Sequence, residues 1–210
     1  MRSIVAGAFL SCFLAAWFPV QASATVTDEV KRVVDEVVRI VSDPGLKQSQ
    51  QESQRRQALK SAISRIFDYS EMAQRSLATH WKERTPAERK EFVSLFETLL
   101  ENSYSGKIES YHNEKIVYLG ESIDGEHAEV KSKVIAPKGD EYALDYRLMA
   151  KGGKWKVYDV VIEGVSLVSN YRGQFNRIIN NQGYPELLKK LRAKSEEIKA
   201  PSSSHSNAAH

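Results

Sequence analysis

The sequence predicts an α+β domain in which a four-stranded, twisted antiparallel sheet carries helices on one face. Three observations predict it. Apolar residues recur at helical spacing through the first half of the chain, four runs of strand chemistry then follow with no helix between them, and helical spacing returns after Gly164.

Val30, Val33, Val34, Val37, Val38 and Val41 recur at three and four, which gives an amphipathic helix despite the modest helix propensity of valine. Ser42-Asp43-Pro44-Gly45 ends it. A polar run leads to a second helix with Leu59, Ala62, Ile63 and Ile66 on one side, and Asp68 is placed to cap a short third helix bearing Met72, Ala73 and Leu77. Thr85-Pro86-Ala87-Glu88 then combines a capping Thr, Pro at the first helical position and Glu at N3. The long helix it opens lines up Phe92, Phe96, Leu99, Leu100, Tyr104, Ile108 and Tyr111, with Gly106 as a point where it kinks or stops.

The strands are expected over 115–120, 127–136, 141–150 and 154–162, separated by Asp124-Gly125, Pro137-Lys138-Gly139 and Gly152-Gly153, all hairpin chemistries. In the third, Tyr142, Leu144, Tyr146 and Leu148 alternate with Ala143, Asp145, Arg147 and Met149, so one face is apolar. Trp155, Val157, Val160 and Ile162 make the fourth. After Glu163-Gly164 the period changes, and Val168, Tyr171, Phe175, Ile178 and Ile179 mark a helix expected from Val165 to about Gln182, with Gly183 at its end. Pro185 opens a last helix with Leu187, Leu188 and Leu191 on its apolar side. A strand that turns within two residues into an amphipathic helix makes a wedge, which either closes as solid core or stays open as an apolar slot.

Residues 1–24 have the form of a cleaved signal peptide: Arg2, an apolar run from Ile4 to Val20, and Ala22-Ser23-Ala24 as the cleavage pattern. Cys12 is the single cysteine and lies inside that run, so cleavage leaves a chain without thiol or disulfide. Removing 24 of 210 residues leaves 186, enough for one domain over 25–199. Residues 200–210 have no apolar periodicity and are expected to be a disordered tail. A signal followed by a cysteine-free chain with no further membrane-length apolar run points to the periplasm.

The net charge of +3 is spread over interleaved acids and bases, without the basic stripe that nucleic-acid binding requires. The sequence has no G-x-S-x-G, H-E-x-x-H, P-loop or G-x-G-x-x-G motif. His80, His112 and His127 fall in unrelated segments without metal-ligand spacing, so neither a catalytic residue nor a metal ligand is assigned. Asp145 and Asp159 are candidates for a base beside Tyr146 or Tyr158, but alternation turns Asp145 away from Tyr142 and Tyr146.

The order of elements resembles the cone-shaped folds of the nuclear-transport-factor type, which enclose an apolar pocket. More specifically, the chain resembles the MlaC family of periplasmic phospholipid-binding proteins, also described as toluene-tolerance or ABC-transporter auxiliary proteins. Three stretches carry the resemblance: Phe67-Asp68 with Met72-Ala73, Leu77 and Trp81; Thr85, Glu88, Phe92, Phe96, Leu99, Leu100 and Tyr104; and Trp155 to Val160, Glu163 to Leu167, Tyr171-Arg172 and Phe175. The third is the most specific.

The resemblance implies a monomeric carrier, not an enzyme, with bound phospholipid as cargo and no cofactor. It implies as partners an MCE-domain subunit of an inner-membrane ABC transporter and an outer-membrane lipoprotein complex, through transient contacts that maintain outer-membrane lipid asymmetry. The residues expected to line its pocket are Phe96, Leu99, Leu100, Tyr104, Tyr142, Leu144, Tyr146, Leu148, Trp155, Val157, Val165, Val168, Tyr171 and Phe175, each also eligible as ordinary core. Arg172 is the candidate for a head-group phosphate or a partner's acidic patch, or for a structural pairing. Three other readings stand beside this one: a carrier of hopanoid or another rigid lipid, a cone-fold enzyme on a small hydrophobic substrate, and an adaptor with a closed interior.

Overall fold

The computed structural model describes residues 24–197, so all but the last residue of the expected signal peptide, and the whole of the expected tail, lie outside the described residues. Six helices and five strands follow in the order α1 (Val26–Ser42), α2 (Glu52–Ser64), α3 (Tyr69–Leu77), α4 (Pro86–Glu109), β1 (Lys115–Asp124), β2 (His127–Ile135), β3 (Glu141–Lys151), β4 (Lys154–Ile162), β5 (Val165–Ser166), α5 (Leu167–Gln182) and α6 (Tyr184–Glu197). No described helix is long and apolar enough to cross a membrane.

Helices α3 and α4 start on the side-chain caps that the sequence predicts. Thr85 and Glu88 form the capping box of α4, with the Glu88 carboxylate accepting the Thr85 N–H at 2.8 Å. Asp68 caps α3 by accepting the Glu71 N–H at 3.0 Å. A capping box also opens α1, between Thr25 and Asp28. Helix α4 runs through Gly106 to Glu109 without stopping there.

The sheet is open and antiparallel in the order β1-β2-β3-β4-β5, with five strands and not the expected four. The added strand is β5, whose Val165 and Ser166 pair with Ile162 and Val161. Glu163 and Gly164 form the tight turn between β4 and β5, both with positive φ (50° and 76°), so the chain makes one more hairpin before it becomes helical. The closing helix therefore begins at Leu167, not Val165, with Ser166 as its cap. Strand β1 also runs four residues past Gly120, where the pairing with β2 shifts between Tyr118 and Gly120 and the glycine takes φ 143°.

The buried apolar residues form three separate clusters. One joins α3, α4, α5 and α6 around Met72, Phe92, Phe96, Phe175 and Leu187. A second joins Val26 and Val30 of α1 to Val130, Tyr146, Leu148, Val157 and Val160 of the sheet. A third holds Ile40 and Val41 of α1 against Leu59 and Ala62 of α2, with Ile108 and Tyr111 packed on it. The long helix α4 thus contributes to the first and third clusters but not to the sheet cluster.

Candidate functional site

Strand register divides the inner face of the sheet into rows. Two rows are covered: Val130, Tyr146 and Val160, then Ala128, Leu148 and Val157, all buried against the first turns of α1. The next two rows are covered only in part, with Ser132 and Val134 buried and the residues around them half-buried or exposed. Tyr118, Ser132, Leu144, Ile162 and Val165 cross all five strands, and Ile116, Val134 and Tyr142 follow. In these rows Tyr118, Leu144 and Ile162 are half-buried, Tyr142 is 40% exposed and Val165 is 56% exposed. Apolar side chains left partly open along two paired strand rows are more than folding alone requires.

The helices that flank this bare half are also apolar and only partly buried. Val33 and Val34 of α1 and Leu167 at the start of α5 pack beside the sheet, while Val37 of α1 sits on the α1–α2 cluster and Leu99 and Tyr104 of α4 on the helix cluster. The wedge closes at the β4–α5 corner, where Asp159, 3% exposed, accepts the Val168 N–H at 3.0 Å and the Ser166 hydroxyl at 2.5 Å. The Arg147 guanidinium stands 3.5 Å from the same carboxylate. Asp159 is therefore spent on holding helix to sheet. Asp145 accepts the Ser132 N–H at 3.0 Å and lines the outer-face depression, so it is not joined to Tyr146 as an acid–base pair.

The polar atoms on the bare surface are phenols. Burial pushes the Tyr118 hydroxyl up to about 12, with Asp35 adding to the effect. Burial also raises Tyr142, helped by Glu114, and Tyr104, helped by its hydrogen bond with Tyr171. These groups are neutral donors at physiological pH. Two shallow depressions, of about 340 and 280 Å³, lie around Leu119, Lys131 and Asp145, reaching Ser132 and Tyr142, and around Gly120 and Glu129.

The fourteen residues expected to line a pocket do not fall in one place. Phe96, Leu100, Val168, Tyr171 and Phe175 sit in the helix cluster, with Phe96 0% exposed and its ring 5.4 Å from Tyr171 and 5.7 Å from Phe175, both edge-on. Tyr146, Leu148 and Val157 lie beneath α1. Tyr142, Leu144 and Val165 lie on the partly open rows, Leu99 and Tyr104 pack on the helix cluster, and Trp155 is half-buried toward the other end of β4. Arg172 is exposed on α5 and donates its Nε–H to the Arg75 carbonyl at 2.9 Å, bridging α5 to α3. The sequence assigned no site role to Val33, Val34, Val37, Tyr118, Ile162 or Leu167. The alternation of β1 and the valine stripe of α1 were visible, but which strand rows the helix leaves bare is a property of the packing.

Fold and surface together define the class: a one-sheet α+β domain whose helices leave part of an apolar sheet face open. The chain belongs to the MlaC family, described as MlaC protein, whose model matches residues 31–193. It is 30% identical over 120 residues to the intermembrane phospholipid transport system binding protein MlaC of Haemophilus influenzae, covering 55% of this chain and 56% of that protein. It is 30% identical over 103 residues to the toluene tolerance protein ttg2D of Pseudomonas putida, covering 49% and 48%. The chain thus spans about half the length of the curated relatives it matches. A phospholipid-binding protein from Ralstonia solanacearum, solved in complex with a phospholipid, superposes with a TM-score of 0.75 at 27% identity, covering 84% of this chain and 100% of that one.

Proposed function

We propose that this protein carries phospholipid, lodging acyl tails on the bare half of the sheet between α1 and α4. The observation that carries the reading is the partly open apolar surface itself, flanked by the half-buried Val33 and Val34 of α1. The phospholipid in the Ralstonia relative supports the same cargo. Exposing a chain of about fifteen methylenes to water costs on the order of 12 kcal/mol at roughly 0.8 kcal/mol each. Lipid therefore needs a sheltered route through an aqueous compartment, and neutral phenols on an apolar wall shelter it without holding it permanently. No covalent step is part of this task.

In this reading the domain works in the periplasm as a monomer, its wedge forming the cone-shaped arrangement expected from the sequence. It receives and delivers lipid between an outer-membrane lipoprotein complex and the MCE-domain subunit of an inner-membrane ABC transporter. The Haemophilus relative's description as part of an intermembrane transport system supports this route. Organic extraction of the purified protein followed by mass spectrometry tests the cargo: diacyl phospholipid near one molecule per chain is expected. An extract free of lipid overturns the reading, and a polycyclic hydrocarbon in its place transfers it to a different lipid class.

A further inference from the structure

We propose that Tyr118 donates a hydrogen bond to the acyl ester of the bound lipid, so that the site takes ester-linked acyl lipids in preference to ether-linked ones. The inference rests on the carrier reading above and specifies its substrate. Five buried side-chain polar atoms among the described residues lack a hydrogen-bond partner. Three belong to Arg55, Glu101 and Glu109, whose charged groups are in ion pairs, and a fourth is the Ser76 hydroxyl within α3. The fifth is the Tyr118 hydroxyl, on the bare half of the sheet.

A buried donor without an acceptor carries its full desolvation penalty, and a native protein retains one where something else supplies the partner. Tyr118 stands in the row with Leu144, Ile162 and Val165, one row inside the exposed Tyr142, or about 7 Å along the strands. That depth suits the linkage between tails and head group: inside the lip, next to aliphatic side chains. The chemistry also fits an ester better than a phosphate. A phenol that keeps its proton is a neutral donor matched to a neutral carbonyl, whereas a phosphate favours a guanidinium fork. The one guanidinium expected to serve it, Arg172, is engaged with the Arg75 carbonyl on the α3–α5 surface. An ether oxygen is a poorer acceptor than an ester carbonyl and leaves the phenol unsatisfied.

The test offers the full protein mixed vesicles of diacyl and diether phosphatidyl lipids with identical chains and head group, then extracts the loaded protein for mass spectrometry. The native protein is expected to take the diacyl lipid about 5–10-fold over the diether, one neutral hydrogen bond's worth of discrimination. Tyr118→Phe is expected to take up less of the diacyl lipid and to lose that preference, while Tyr184→Phe, in the helix cluster with its hydroxyl on the Glu88 carbonyl, keeps it. Equal uptake of the two lipids by the native protein, or an undiminished preference in folded Tyr118→Phe, overturns the proposal. Uptake of neither lipid overturns the carrier reading and this inference together, an outcome distinct from uptake of both.

Discussion

The Asp159 carboxylate accepts the Val168 N–H at 3.0 Å and so ties the last long strand to the first turn of α5. It also accepts the Ser166 hydroxyl, and Ser166 in turn caps α5 through the Ser169 N–H at 3.0 Å. One buried charge therefore sets the corner at which helix departs from sheet, and with it how wide the apolar wedge stands. Replacing Asp159 by Ala strands two donors at a site from which water is excluded. A loss of about 2–3 kcal/mol in denaturant unfolding is expected, with Asp159→Asn losing less because its amide oxygen still accepts. Equal stability of Asp159→Ala and the native protein contradicts this role.

Residues on the bare surface and residues in the solid core separate by phenotype. Val165→Glu places a charge on a position 56% exposed and changes stability by no more than about 0.5 kcal/mol, yet lowers co-purifying lipid about tenfold. Leu144→Arg is expected to deplete lipid in the same way. Phe96→Ala empties a site that is 0% exposed among edge-on rings and costs about 3–5 kcal/mol of stability. Thermal melts and lipid extraction on the same preparations check both halves.

The α3 cap gives a pH signature. Burial opposes ionisation of Asp68, but the Lys151 ammonium and the Glu71 N–H outweigh it and hold the carboxyl below its usual 3.8. A carboxylate whose folded value is depressed stabilises fully above the unfolded value and loses that contribution as pH falls through the folded one. Asp68→Asn keeps the cap acceptor and removes the ion pair. Its deficit in melting temperature relative to the native protein is expected to be present at pH 6 and to shrink steadily below about pH 4. A deficit independent of pH assigns Asp68 to capping alone.

Much of this was legible in the sequence, for reasons visible in single residues. Thr85 and Glu88 make the predicted capping box, Asp68 caps as expected, and β4 spans the predicted 154–162. The fifth strand was not legible, because Glu163 at φ 50° is an uncommon occupant of a tight turn and the two residues after it carry no strand pattern of their own. The end of β1 was missed at Gly120, where the glycine marks a bulge and not a stop. Site residues were harder. Alternation says that Tyr146 and Leu144 share a face, but not that α1 covers one and leaves the other half open.

The α4 capping box is a further check on how the helix wall is held. Thr85→Ala removes the acceptor for the Glu88 N–H at 3.3 Å and the hydroxyl donor to its carboxylate, and is expected to cost about 1 kcal/mol in denaturant unfolding. Lipid content should remain unchanged, since the box lies at the end of α4 far in sequence from Leu99 and Tyr104. Lost lipid at full stability contradicts the division between scaffold and surface drawn here.

The most direct test of the bare sheet as the lipid site is photo-crosslinking with a phospholipid bearing a diazirine in its acyl tail, with adducts mapped by peptide mass spectrometry. Adducts concentrated on Val34, Tyr104, Tyr118, Leu144 and Ile162 are the predicted result. Adducts confined to the outer-face depression around Leu119, Lys131 and Ala143, or scattered without preference, contradict the account.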